Sequence, residues 1–76
     1  MEDLGNTIKY IVNRLTVKGF SVGCYCIDNC IYAYVLRGQY HLTSVLSLTT
    51  LNEVDDKQYC IDYFIYNIIE QFNEVE

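Results

Sequence analysis

The sequence predicts an α+β fold of order α-β-β-β-α, a three-stranded antiparallel meander with two helices packed on one face. Three observations carry this: an apolar stripe of helical period at each end of the chain, a period-two stretch between them, and two turn signals that cut that stretch into three. At 76 residues the chain makes one domain, 1–76. A core of that size supplies only about 3–5 kcal/mol of net stability, so association could add to it.

The first helix opens at Asp3, a residue suited to the N-cap. Leu4, Ile8, Ile11, Val12 and Leu15 then recur three and four apart as one apolar stripe. Lys18 and Gly19 are a helix stop, a late cation followed by a residue that tolerates the left-handed conformation, so the helix runs from about Leu4 to Lys18.

From Phe20 the period is two. Asp28-Asn29 offers the two positive-φ residues of a type I′ hairpin turn, and Gly38-Gln39 puts glycine first, as a type II′ turn prefers. The strands run to about Thr49. Two-residue turns fix the register, which places Ile27 opposite Cys30, Cys24 opposite Ala33 and Val22 opposite Val35. Across the second turn Val35 meets Leu42, Ala33 meets Ser44 and Ile31 meets Leu46. One face then gathers small and apolar side chains, as a helix-covered face should. The other gathers Tyr25, Ile27, Cys30, Tyr32, Tyr34, Leu36, His41, Thr43, Val45 and Ser47, with no Lys, Arg, Asp or Glu among them. A face of that composition suits contact with another protein, and Tyr25, Tyr32 and Tyr34 are its candidate partner-binding residues.

The last helix is expected to begin near Asn52 or Asp55, with Glu53, Asp55 and Asp56 at the positive end of its dipole. Ile61, Phe64, Ile65, Ile68, Ile69 and Phe72 share one arc of its wheel, with Val54 in line if the helix starts early. Nearly opposite stand Tyr59, Tyr63, Tyr66 and Glu70, where an outward face is ordinarily Lys, Glu and Gln. This ridge, with Asp62 and Glu74, is a second candidate partner-binding surface, of aromatic hot-spot character in acidic surroundings.

Charge narrows the partner class. The net charge is −5, and it divides unevenly: residues 1–51 carry net +1 and residues 52–76 net −6. Phosphate neutralisation needs several Lys or Arg on one face, so direct nucleic-acid binding is excluded and a protein with a basic surface is favoured. No apolar run is long enough for a membrane span, and Met-Glu-Asp-Leu-Gly-Asn is no export signal, so cytoplasm is the expected location.

Cys24, Cys26, Cys30 and Cys60 with His41 invite a zinc reading. The register splits them between two faces, and the spacing is not that of a zinc knuckle. Cys24 and Cys26, two apart on one strand, sit at the edge of disulfide geometry, while Cys60 could approach an inner-face cysteine. Small apolar side chains kept as free thiols is the default. Cys30 and His41 share a face but stand at opposite ends of the meander, so no nucleophile and base converge. No metal, cofactor or catalytic residue is expected.

The helix, three strands, helix order resembles that of double-stranded RNA-binding domains. Those dock on phosphates through a lysine cluster at the start of the last helix, where this chain reads Glu53-Val54-Asp55-Asp56-Lys57, the reverse sign, so RNA binding does not carry over. Element order and acidity are also similar to some small phage-encoded inhibitors, anti-CRISPR proteins among them. The expected function is thus a small acidic interaction module, in one reading a viral or mobile-element inhibitor that occludes the basic site of a host nucleic-acid-processing enzyme in the host cytoplasm. The alternatives are a homodimer through the tyrosine-bearing sheet face and, last, a cysteine-based metal or redox protein.

Overall fold

The computed structural model describes residues 4–75, so the expected cap at Asp3 lies outside the described residues. The architecture is α+β: α1 (Leu4–Val17), β1 (Ser21–Ile27), β2 (Cys30–Arg37), β3 (Tyr40–Ser47), α2 (Leu48–Glu53) and α3 (Lys57–Val75), the strands forming one antiparallel sheet in the order β1-β2-β3.

The predicted stop of the first helix works through paired backbone bonds. Gly19 adopts φ 96°, its amide donates to the Thr16 carbonyl at 3.0 Å, and the Phe20 amide reaches back to the Leu15 carbonyl at 3.2 Å. This is a Schellman closure, and it delivers Phe20 into the core beside Leu15. The buried line along α1 is Thr7, Ile11 and Leu15, with Ile8 and Val12 only half-buried. The helix therefore sits rotated by about one position from the stripe read off the sequence.

Both turns and the whole register match expectation. Asp28 and Asn29 have φ 52° and 64°, Gly38 has φ 64°, and the pairs Ile27–Cys30, Cys24–Ala33, Val22–Val35, Val35–Leu42, Ala33–Ser44 and Ile31–Leu46 all form. On the central strand Ile31, Ala33 and Val35 are fully buried beneath the helices. They meet Ile11 and Leu15 from α1 and Ile61, Phe64, Ile65, Ile68 and Phe72 from α3 in one core. Phe20 and Phe72 pack at 4.8 Å between ring centroids, and the Arg37 guanidinium lies 4.4 Å from the Phe20 ring and 5.9 Å from that of Phe72, closing the core on that side.

The chain departs from expectation after β3. The strand ends at Ser47 rather than Thr49, and a separate short helix, α2, precedes the main one. Its start is fixed by the distant first turn. The Leu48 amide donates to the Asn29 carbonyl at 2.9 Å, and the Asn29 side-chain amide donates to Thr49 Oγ1 at 2.9 Å. Held there, the chain leaves the sheet and drops Leu51 into the core. The start of α3 is correspondingly later. Asp56, not Asn52 or Asp55, is its cap, accepting a 3.0 Å bond from the Tyr59 amide. Glu53 lies in the last turn of α2, away from the dipole end expected to favour it.

Candidate functional site

The outer sheet face is built by alternation alone. With the odd-numbered residues of β1 and β3 and the even-numbered residues of β2 pointing away from the helices, the face resolves into four rows across the strands. From the Gly38 end these are Ser21-Leu36-His41, Gly23-Tyr34-Thr43, Tyr25-Tyr32-Val45 and Ile27-Cys30-Ser47. Tyr25 and Tyr32 stack at 5.5 Å with planes 12° apart, and Tyr34 tilts against His41 at 5.9 Å. Ile27, Val45 and Tyr25 remain 53%, 51% and 45% exposed, and the three helices pack into the core on the opposite face. Single exposed apolar residues are ordinary, whereas a contiguous set with no charged side chain is not.

Tyr59, Tyr63 and Tyr66 form the expected ridge on α3. Their rings stack in sequence, Tyr59 on Tyr63 at 6.1 Å and Tyr63 on Tyr66 at 6.3 Å, and each is more than half exposed. Spacings of four and three bring successive side chains onto one strip of the helix, which explains the stacking.

The acids assigned to that ridge do not all stand on it. Asp62 turns to the seam between α1 and α3, where Oδ1 accepts from the Tyr10 hydroxyl at 2.5 Å and from Gln58 Nε2 at 3.2 Å, with Arg14 Nη1 at 3.7 Å. Arg14 also donates to the Tyr10 oxygen at 2.6 Å and lies over its ring. Glu70 is half-buried and lines a shallow cleft of about 240 Å³ with Arg14 and Lys18 of α1. Two of the helix's carboxylates thus face the bases of α1. Glu74 is exposed near the end of α3, and Asp55 and Asp56 are exposed at its head beside Tyr59. Tyr10 and Arg14 are the residues that sequence reasoning missed. Their four-residue spacing is a visible signal, but their partner stands 52 positions from Tyr10.

The cysteines divide as the register requires. Cys24 and Cys26 point inward, Cys30 outward, and all four are free thiols. Burial, followed by the adjacent Cys26, pushes the Cys24 thiol up to about 11. Cys30 pairs with Ser47, six residues along β3 from His41, which separates the two by roughly 20 Å. Among the described residues no three His, Cys, Asp or Glu side chains gather where they could hold a metal ion, and no helix is long and apolar enough to cross a membrane.

Compared with known proteins, the chain matches no family model, no curated protein and no solved structure.

Proposed function

We propose that this chain is a small protein–protein interaction module, acting by binding rather than by catalysis, with the outer sheet face and the tyrosine ridge of α3 as its contact surfaces. The observation that carries the reading is the outer face: three tyrosines with Ile27, Leu36 and Val45, no Lys, Arg, Asp or Glu, and, among the described residues, no element laid over it. Tyrosine offers large contact area with few rotors to immobilise and a hydroxyl that can pair at the rim, which is why it is enriched where proteins meet. The flat face, with Cys30 and His41 far apart, favours binding over chemistry.

A more specific reading, inhibition of a host nucleic-acid-processing enzyme by a phage- or mobile-element-encoded protein, draws support from the head of α3. Asp55 and Asp56 are exposed there beside Tyr59, itself 65% exposed, an acidic and aromatic combination suited to a basic protein site. Asp62 and Glu70 contribute less to that field, because the cations of α1 face them.

The test is affinity capture from the native host followed by mass spectrometry, with three baits whose folds are verified by circular dichroism: wild type, Tyr63→Ala/Tyr66→Ala and Tyr32→Lys. A partner bound by wild type and lost with one of the variants is expected. Partners retained equally by all three would refute the reading.

A further inference from the structure

We propose that the outer sheet face pairs with the same face of a second copy about a twofold axis running across the strands, each copy's Tyr25 seating in the notch left by Gly23 of the other. This deepens the interaction reading above and rests on its sheet-face half.

The first argument is charge. The chain carries net −5, so most ways of bringing two copies together set carboxylates against carboxylates. The outer face has no acid or base other than His41, so a basic partner finds nothing there to recognise, whereas a second copy meets it without repulsion.

The second argument is Gly23. It lies in the middle of β1, has no positive φ, and a Cβ placed on it would meet nothing within 4 Å. Neither backbone conformation nor packing inside the chain demands glycine, and glycine within a strand costs about 0.5–1 kcal/mol. A glycine in such a place often marks the close approach of another chain. It leaves a gap in the face directly beside the exposed, stacked Tyr25.

The rows select the axis. A twofold axis across the strands, midway between the Gly23 and Tyr25 rows, lays β1 over β1 of the other copy. It faces Gly23 with Tyr25, Tyr34 with Tyr32 and Thr43 with Val45, each contact occurring twice. It also brings the Asp28 turn of one copy to the Gly38 end of the other, where Arg37 and His41 stand. An axis along the strands would instead set the two Asp28 turns together and leave Gly23 opposite Thr43. The twist of each sheet permits the chosen pairing as an aligned sandwich at about −30°. Three strands about 4.8 Å apart and some 25 Å long give a footprint of roughly 350 Å² per copy, about 700 Å² in total before side-chain relief, which is below the size of stable specific interfaces and makes this a weak, transient dimer whose assembly needs high protein concentration.

Sedimentation equilibrium from about 5 to 500 µM tests this, a range that reaches the concentrations a weak dimer needs. Wild type should pass from monomer to dimer across it, and Gly23→Leu should weaken dimerisation at least tenfold while circular dichroism shows the monomer fold intact. Leucine adds apolar surface and strand propensity, so a merely sticky face would associate more strongly. Thr50→Leu, exposed on α2 away from the face, should leave the dimer unchanged. A wild type monomeric throughout, or a Gly23→Leu chain that dimerises equally or better, overturns self-pairing. The capture experiment with Tyr63→Ala/Tyr66→Ala is independent of that outcome, so failure of self-pairing and failure of the broader interaction reading are distinguishable.

Discussion

The Tyr10 hydroxyl donates to Asp62 Oδ1 at 2.5 Å, and this bond, with Arg14 donating to the same hydroxyl at 2.6 Å, ties α1 to α3 across 52 residues of sequence. The two helices flank the core over the sheet, and their seam is where a charge-assisted bond can hold them in register. Tyr10→Phe removes the donor while keeping the ring that packs against the core. The expected outcome is a lowered urea midpoint for Tyr10→Phe and for Asp62→Ala, with the double variant losing less than the sum of the two single losses, because both substitutions delete the same bond. Additive losses would show that the two residues act separately.

Stability should fall in alkali. Burial pushes the Cys24 thiol from 9.0 up to about 11, and the Tyr10 phenol is raised above 10.0, first by its hydrogen bond to Asp62, because ionisation would destroy that donor. Both groups hold their protons more tightly folded than unfolded. Their contribution is therefore complete below the unfolded pKa and is lost as pH rises through the folded one, between about pH 9 and 11 for Cys24 and above pH 10.0 for Tyr10. Urea midpoints measured across that window should decline, and Cys24→Ala should flatten the decline. An unchanged slope in that variant would remove Cys24 as a source. The thiol should also alkylate slowly in the folded protein, since only the thiolate reacts.

Where two-residue turns fixed the pairing, the fold was legible to single-residue resolution: Asp28-Asn29 and Gly38-Gln39 each set a hairpin, and the inner and outer faces followed without further information. The last helix's arc from Ile61 to Phe72 was equally plain, because five of its six members are buried. What escaped was governed by distant partners. Nothing in Leu48-Thr-Thr-Leu-Asn-Glu53 announces a helix, since six residues are too few for a periodic signal and the bonds that start it come from Asn29. Asp62 looked like part of the ridge because a helical wheel gives an angle but not the Tyr10 and Arg14 that draw the carboxylate aside.

Phe72 is 1% exposed, packs against Phe20 at 4.8 Å and lies under the Arg37 guanidinium, so it closes the end of the core. Truncating it to alanine should cost about 3–5 kcal/mol, comparable to the whole net stability of a domain this size, and leave the chain unfolded at 25 °C by circular dichroism. Arg37→Ala should cost about 1 kcal/mol, the worth of a cation held over an aromatic ring with its stem packed. A fully folded Phe72→Ala chain would mean that the core extends elsewhere.

Asn29 carries two roles that substitutions can separate. Its φ of 64° serves the type I′ turn, and its side chain reaches Thr49 at 2.9 Å while its carbonyl accepts from the Leu48 amide. Alanine loses both the left-handed tolerance and the side-chain bond, for an expected cost of about 1–2 kcal/mol. Glycine keeps the backbone conformation and loses only the bond, so Asn29→Gly should cost less than half as much, and Thr49→Val should match it. If the start of α2 depends on that bond, amide hydrogen exchange at Leu51 and Asn52 should accelerate in Asn29→Gly and Thr49→Val alike, while the β1–β2 ladder stays protected in both. Faster exchange in the ladder would instead locate the residue's contribution in the hairpin.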